Sequence, residues 1–178
     1  MQVFINHLNG LSEEYCVDLV VSNASGEYLK EIGEKVNLID LNSKSLRYSF
    51  LKLLKYLNTD KPKTVISVLT SANILISIAK LFSKSHFKLI LSERAAVTMA
   101  LSDNPRWQAR ISPFLIRRLY KHADQIVSVS KAISEELISQ YGVKRSKTSV
   151  IYNAVVDNKL IEKSNEPFSN PYFDHNKI

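Results

Sequence analysis

Ser92, Glu93 and Arg94 follow the apolar run Phe87 to Leu91 and set an acid beside a base where a strand would end. A carboxylate there can orient or deprotonate a hydroxyl, and a guanidinium can hold that hydroxyl or pair with a phosphate. No helix cap requires the two side by side, so a functional pair and a local ion pair stand as equal alternatives. Two further groups follow runs of the same kind: Thr70-Ser71-Ala72-Asn73 after Thr64 to Val68, and Ser130-Lys131 after Gln125 to Val129. Each opens or precedes a helical pattern, whose free amide groups favour anions. Ser71, Asn73 and Ser130 are also residue types that commonly cap helices, and for Ser130 capping is the simpler account.

Other chemistries find no support. The chain has only four glycines, with no Gly-x-Gly-x-x-Gly and no phosphate-binding loop. His7, His86, His122 and His175 are scattered without ligand spacing, so no metal is expected. Cys16 is the single cysteine, which excludes a disulfide framework and suits a reducing compartment. Its place inside an apolar run predicts a buried, inert thiol. No stretch reaches the ~18 apolar residues that span a bilayer, and the N-terminus has no leader pattern. The expected protein is soluble or peripheral.

The elements that position these groups alternate. Val17 to Val21, Val36 to Leu41, Thr64 to Val68, Phe87 to Leu91, Gln125 to Val129 and Thr148 to Tyr152 read as strands. Near-continuous apolar runs suit a parallel sheet covered on both faces. Leu46, Phe50, Leu53, Leu54 and Leu57 form one helical stripe, and Asn73 to Phe82 repeats the pattern. A helix capped by Ser130 carries Ile133, Leu137 and Ile138 inward and stops at Gly142. Strict alternation predicts right-handed βαβ units in an α/β, doubly wound, Rossmann-like parallel sheet. Ligands then bind at the C-terminal edge of the strands, where the three polar groups fall.

A further helix is predicted from about Pro105 to His122. Asn104-Pro105 and Ser112-Pro113 are each a cap with a first-turn proline, so the segment reads as two helices or one kinked helix. In a continuous helix Arg106, Arg110, Arg117 and Lys121 fall within about 60° of one another, bordered by Trp107 and Phe114. Such a stripe suits an anionic membrane surface. The plainer alternative is an exposed helix face with its aromatics turned into the core.

With 178 residues, 45% hydrophobic and 23% charged, the chain fits one globular domain and not a disordered one. The net charge of +7 suits either a solvated basic surface or an anionic partner. Residues 1–157 form the predicted domain; 158–178, polar and holding Pro167 and Pro171, read as a linker or tail.

Ala123-Asp124-Gln125-Ile126-Val127-Ser128-Val129-Ser130-Lys131-Ala132-Ile133, then Glu135-Glu136-Leu137, then Val150-Ile151-Tyr152-Asn153-Ala154-Val155-Val156-Asp157 together resemble family 4 glycosyltransferases. Leu69 to Asn73 and Ser92-Glu93-Arg94 are similar to acceptor-side stretches of members that build bacterial surface polysaccharides. The tail from Glu166 to Phe173 resembles the segment before the second domain.

The resemblance implies the N-terminal, acceptor-side half of a GT-B protein, two Rossmann-like domains facing across a cleft. It implies a metal-independent, retaining transfer from a nucleotide-sugar to a glycan or lipid-linked acceptor at the cytoplasmic membrane face. No cofactor is expected, because the nucleotide-sugar is a substrate held mainly by the second domain. Acceptor binding falls to Thr70, Asn73, Ser92, Glu93, Arg94, Ser130 and Lys131, with Glu93 the candidate catalyst and Asn153 the hinge. Expected partners are the acceptor, an anionic membrane surface and a complementary C-terminal half, without nucleic acid.

The 178 residues depart from the family pattern at both ends. Val3 to Glu14 resembles the domain's first helix, so the first strand and its glycine-rich loop fall outside the chain, as do the second domain and its paired glutamates. The chain alone is therefore expected not to turn over, and to be marginally stable or self-associating. Two other readings stand beside this one: a non-catalytic basic α/β module for a polyanion or membrane, and a family relative that serves as a partner.

Overall fold

A computed structural model describes residues 2–102, 106–153 and 165. The chain opens with helix α1 (Gln2–Ser12), which buries Ile5 and Leu8. Strands β1 (Val17–Val21) and β2 (Val36–Asp40) follow, with a 3-10 turn at Glu27–Glu31 between them. A 3-10 turn at Leu46–Ser49 leads into α2 (Phe50–Thr59). The alternation then continues through β3 (Thr64–Val68), α3 (Thr70–Phe82) and β4 (Lys88–Glu93). Helices α4 (Val97–Ser102) and α5 (Arg106–Leu119), strand β5 (Gln125–Ser128), α6 (Lys131–Tyr141) and β6 (Thr148–Val150) complete it.

The expected α/β class holds, and every ladder is parallel. The strands form two ladders, β1-β2 and β3-β4-β5-β6. Among the described residues no strand joins β1 to β3, so each keeps one open edge.

Register sorts the side chains of the larger ladder. Ser67, Leu91 and Ile126 lie on one face with Leu89, Glu93 and Ser128, and all six are buried. Against them pack Leu57 of α2, Ile76 and Ala79 of α3, Ile116 of α5 and Leu137 of α6. The opposite face carries Ile66, Ile90 and Val127, and Ile66 is 50% exposed. The sequence predicts cover on both faces; among the described residues the helical layer covers one. Apolar runs record that a strand is rich in hydrophobic residues, not what lies above it.

One other expectation changes and one alternative is decided. Cys16 is exposed, because it sits in the turn before β1 and not within the strand. Of the two readings of this segment the single helix holds: α5 runs through Pro113, whose missing donor costs one backbone bond that packing offsets. Helix α4 went unread, being six residues, VTMALS, without a usable period. The cap at Asn104-Pro105, the side chains of Arg106 and Trp107, residues 154–157 and the tail 158–178 apart from Asn165 lie outside the described residues.

The family-like Ala-Asp pair has a structural task. Asp124 Oδ2 accepts from the Leu89 amide at 2.8 Å and from Lys80 Nζ at 2.6 Å, tying the start of β5 to β4 and α3. The Lys80 hydrogen bond, then the Leu89 amide, hold its carboxyl below the usual carboxylate value. A lowered folded pKa contributes stability above the ordinary carboxylate range and loses it as pH falls through the lowered value. Because the Asp124 side chain is 52% exposed, Asp124→Ala should cost only about 1 kcal/mol near neutral pH. Urea midpoints of the variant and the parent chain should converge as the pH is taken toward 3; a gap that persists there would contradict this account.

Candidate functional site

The C-terminal ends of β3, β4 and β5 are hydrogen-bonded neighbours, with Val68 opposite Ser92 and Glu93 opposite Ser128. This register brings all three polar groups to one edge, as the sequence implies. The edge then divides into an internal tier and a surface tier.

Glu93 is the centre of the internal tier and is 1% exposed. Its Oε2 accepts from Thr70 Oγ1 at 2.8 Å, and its Oε1 accepts from Asn73 Nδ2 at 2.8 Å and from the Tyr120 hydroxyl. Asn73 Nδ2 also reaches the Ser92 carbonyl at 3.1 Å. One carboxylate thus joins β4 to the start of α3 and to the 3-10 turn Tyr120–His122 that ends α5. Burial pushes the Glu93 carboxyl above its ordinary value, against the lowering effect of the hydrogen bonds from Tyr120, Asn73 and Thr70. Burial also raises the Tyr120 phenol, and the Glu93 charge adds to that. Asn73 Oδ1 and Ser128 Oγ, both buried, take no protein partner here.

Thr70, Asn73, Ser92 and Glu93 were expected to line the cleft. All four are buried: Thr70 and Asn73 bond the Glu93 carboxylate, and Ser92 contributes its carbonyl to Asn73. Asn73 is no cap either: the residue before α3 is Leu69, without a side-chain cap. Leu69 has φ 82°, in the region that favours glycine, and such strain costs on the order of 1–3 kcal/mol.

The surface tier holds Arg94, Ser130, Lys131 and Asn153. Glu93 and Arg94 do not pair, since consecutive strand residues face opposite ways. Arg94 Nη2 instead donates to Asn153 Oδ1 at 2.6 Å. The expected hinge residue is thereby latched to the end of β4. Ser130 caps α6, accepting from the Ile133 amide at 3.3 Å, and Lys131 stands exposed beside it. Gly142 closes that helix at φ 68°, the left-handed conformation its sequence position requires.

Two members escaped the sequence reading. Tyr120 lies 27 residues from the carboxylate it donates to, and no local pattern links them. Glu136 accepts from the amides of Val97 at 3.1 Å and Thr98 at 3.0 Å, pinning the start of α4 to α6. A buried-tyrosine signal was available in the α5 stripe, where Ile116, Leu119 and Tyr120 share the inward face.

Among the described residues no group of three or more His, Cys, Asp or Glu is placed to hold a metal ion. The edge offers amides, a guanidinium, an ammonium and hydroxyls, a set that suits a polyhydroxylated or phosphorylated ligand. No curated protein matches the chain. The sequence model of Glycosyltransferase Family 4 matches residues 2–159, nearly the whole length, and the chain belongs to that family.

Proposed function

We propose that this chain forms the acceptor-side half of a retaining glycosyltransferase. The parent enzyme moves a sugar from a nucleotide-sugar to a glycan or lipid-linked acceptor in bacterial surface polysaccharide synthesis, at the cytoplasmic membrane face. The observation that carries the reading is the family match together with a C-terminal strand edge where Lys131 is exposed and Arg94 and Ser130 are half-buried. Arg94 holds an acceptor hydroxyl or phosphate, and Lys131 adds charge at the first turn of α6. Glu93 is a positioning residue: its bonds to Thr70, Asn73 and Tyr120 set the start of α3 and the strand exit from which Arg94 projects.

The test is binding by the chain itself, measured calorimetrically with a short polyprenyl-diphosphate saccharide and with nucleotide-sugars. The acceptor analogue should bind, and Arg94→Ala should weaken it by on the order of tenfold, the loss of one charge-assisted hydrogen bond. Nucleotide-sugars should bind more weakly than the acceptor. Tight nucleotide-sugar binding with no acceptor binding would reverse the assignment.

A further inference from the structure

Arg94 carries a charge that no carboxylate answers. It is half-buried at the exit of β4, and among the described residues no acid lies within ion-pairing distance of it. The acids on β4, on α6 and beside β5 are committed elsewhere. Glu93, its chain neighbour, turns the other way and holds Thr70, Asn73 and Tyr120. On α6, Glu136 accepts from the amides of Val97 and Thr98, and Glu135 pairs through both oxygens with Arg145 at 2.7 and 2.8 Å. Asp124 stands at the far end of β5, on Lys80.

The partner that Arg94 does have is a neutral amide, Asn153 Oδ1, at 2.6 Å and 59 residues away in the chain. Strand β6 pairs with β5 and not with β4, so the chain leaving β6 must cross the end of β5 to reach Arg94. The crossing is pinned on its way, the Ile151 amide donating to the Ser128 carbonyl at 3.0 Å. Ile151, Tyr152 and Asn153 are themselves exposed, and the Asn153 side chain ties the crossing to β4. An aspartate at this position would hold Arg94 equally well but would cancel its charge. An asparagine orients the guanidinium and leaves the charge, with most of its N–H donors, for something else.

We propose that Asn153 is the positioning residue of Arg94, and that the guanidinium it fixes receives a phosphate or other anionic group of the ligand. The assignment rests on the acceptor-side reading and narrows its ligand from a hydroxyl or phosphate to an anion. Fixing the planar fork before the ligand arrives spares the ordering of a long side chain on binding. Linkage runs both ways: an anion on Arg94 steadies the strand-crossing segment through the same bond.

The experiment is calorimetry of the full chain with inorganic diphosphate and with the short polyprenyl-diphosphate saccharide, beside urea unfolding of each variant. Asn153→Ala should weaken both ligands by about three- to tenfold, the effect of an unordered side chain at the contact. Asn153→Asp should weaken them by at least about tenfold, because an ion pair then cancels the Arg94 charge. Its urea midpoint should stay at or above that of the parent chain, since the latch itself is kept. Affinity lost without stability marks positioning, whereas a residue that only held the fold would move both together. Weaker binding in Arg94→Ala with unchanged binding in Asn153→Asp would overturn the inference and leave the acceptor-side reading standing. A midpoint that falls in Asn153→Asp in step with affinity would do the same. Absence of diphosphate binding, or binding that Arg94→Ala leaves unchanged, would overturn both.

Discussion

Glu93→Ala is expected to remove most of the stability of this chain. The substitution strands three buried donors, Thr70 Oγ1, Asn73 Nδ2 and the Tyr120 hydroxyl. Each costs about 1–3 kcal/mol when left unpaired. Relief of carboxylate desolvation offsets part of this, so a net loss of about 3–5 kcal/mol is expected, the usual scale for breaking a buried polar network. Domain stabilities run to about 5–15 kcal/mol, and urea unfolding of the variant should begin near zero denaturant. Glu93→Gln keeps one acceptor oxygen and should cost distinctly less. A loss below about 1 kcal/mol for Glu93→Ala would remove the carboxylate from its central position.

The same residue gives a pH dependence opposite in sign to that of Asp124. Burial raises the folded pKa of Glu93, so the folded state binds this proton more tightly than the unfolded state. Its contribution is full below the ordinary carboxylate range, declines as pH rises through the window up to the raised value, and is constant beyond it. The difference in unfolding free energy between the parent chain and Glu93→Gln should shift in that sense across that window. A flat difference would mean that the carboxyl titrates alike in both states.

The second large effect concerns the open edges. Among the described residues each of β1 and β3 has one unpaired edge, and Ile66 on β3 is half exposed. Rows of unpaired backbone groups beside apolar side chains invite pairing with other copies. The purified chain should therefore self-associate as its concentration rises and melt over a broad range. Ile66→Lys places a charge at this edge and should raise the concentration at which association begins by on the order of tenfold, at little cost in stability. Light scattering against concentration measures the first, and urea unfolding the second. A monomeric parent chain with a sharp, cooperative melt would rule this out.

Much of the fold was legible in the residues. All six strands announced themselves as short β-branched runs, and β3 was read at its observed bounds, Thr64–Val68. The ends were less legible: β4 continues through Ser92 and Glu93, past the last aliphatic residue, because its neighbour β5 supplies partners for both. Ser130 and Gly142 were read correctly as start and stop of α6, since a cap and a left-handed glycine act within a few residues of themselves. Asn73 does not cap because α3 already begins at Thr70, three residues before it, and its side-chain amide donates to a distant carboxylate.

What the sequence determined by itself was therefore the local order: which stretches extend, which coil, where α6 begins and ends, and which polar residues stand at strand exits. It also carried the family likeness, which the match over residues 2–159 shows. Tertiary structure alone decided that Glu93 turns inward to Thr70, Asn73 and Tyr120 while its neighbour Arg94 turns out to Asn153. It alone decided that Phe114 stays in solvent. The physical reason is range. Periodicity and caps act over one or two turns of chain, whereas a shared carboxylate, a buried face or an open edge depends on elements brought together from dozens of residues away.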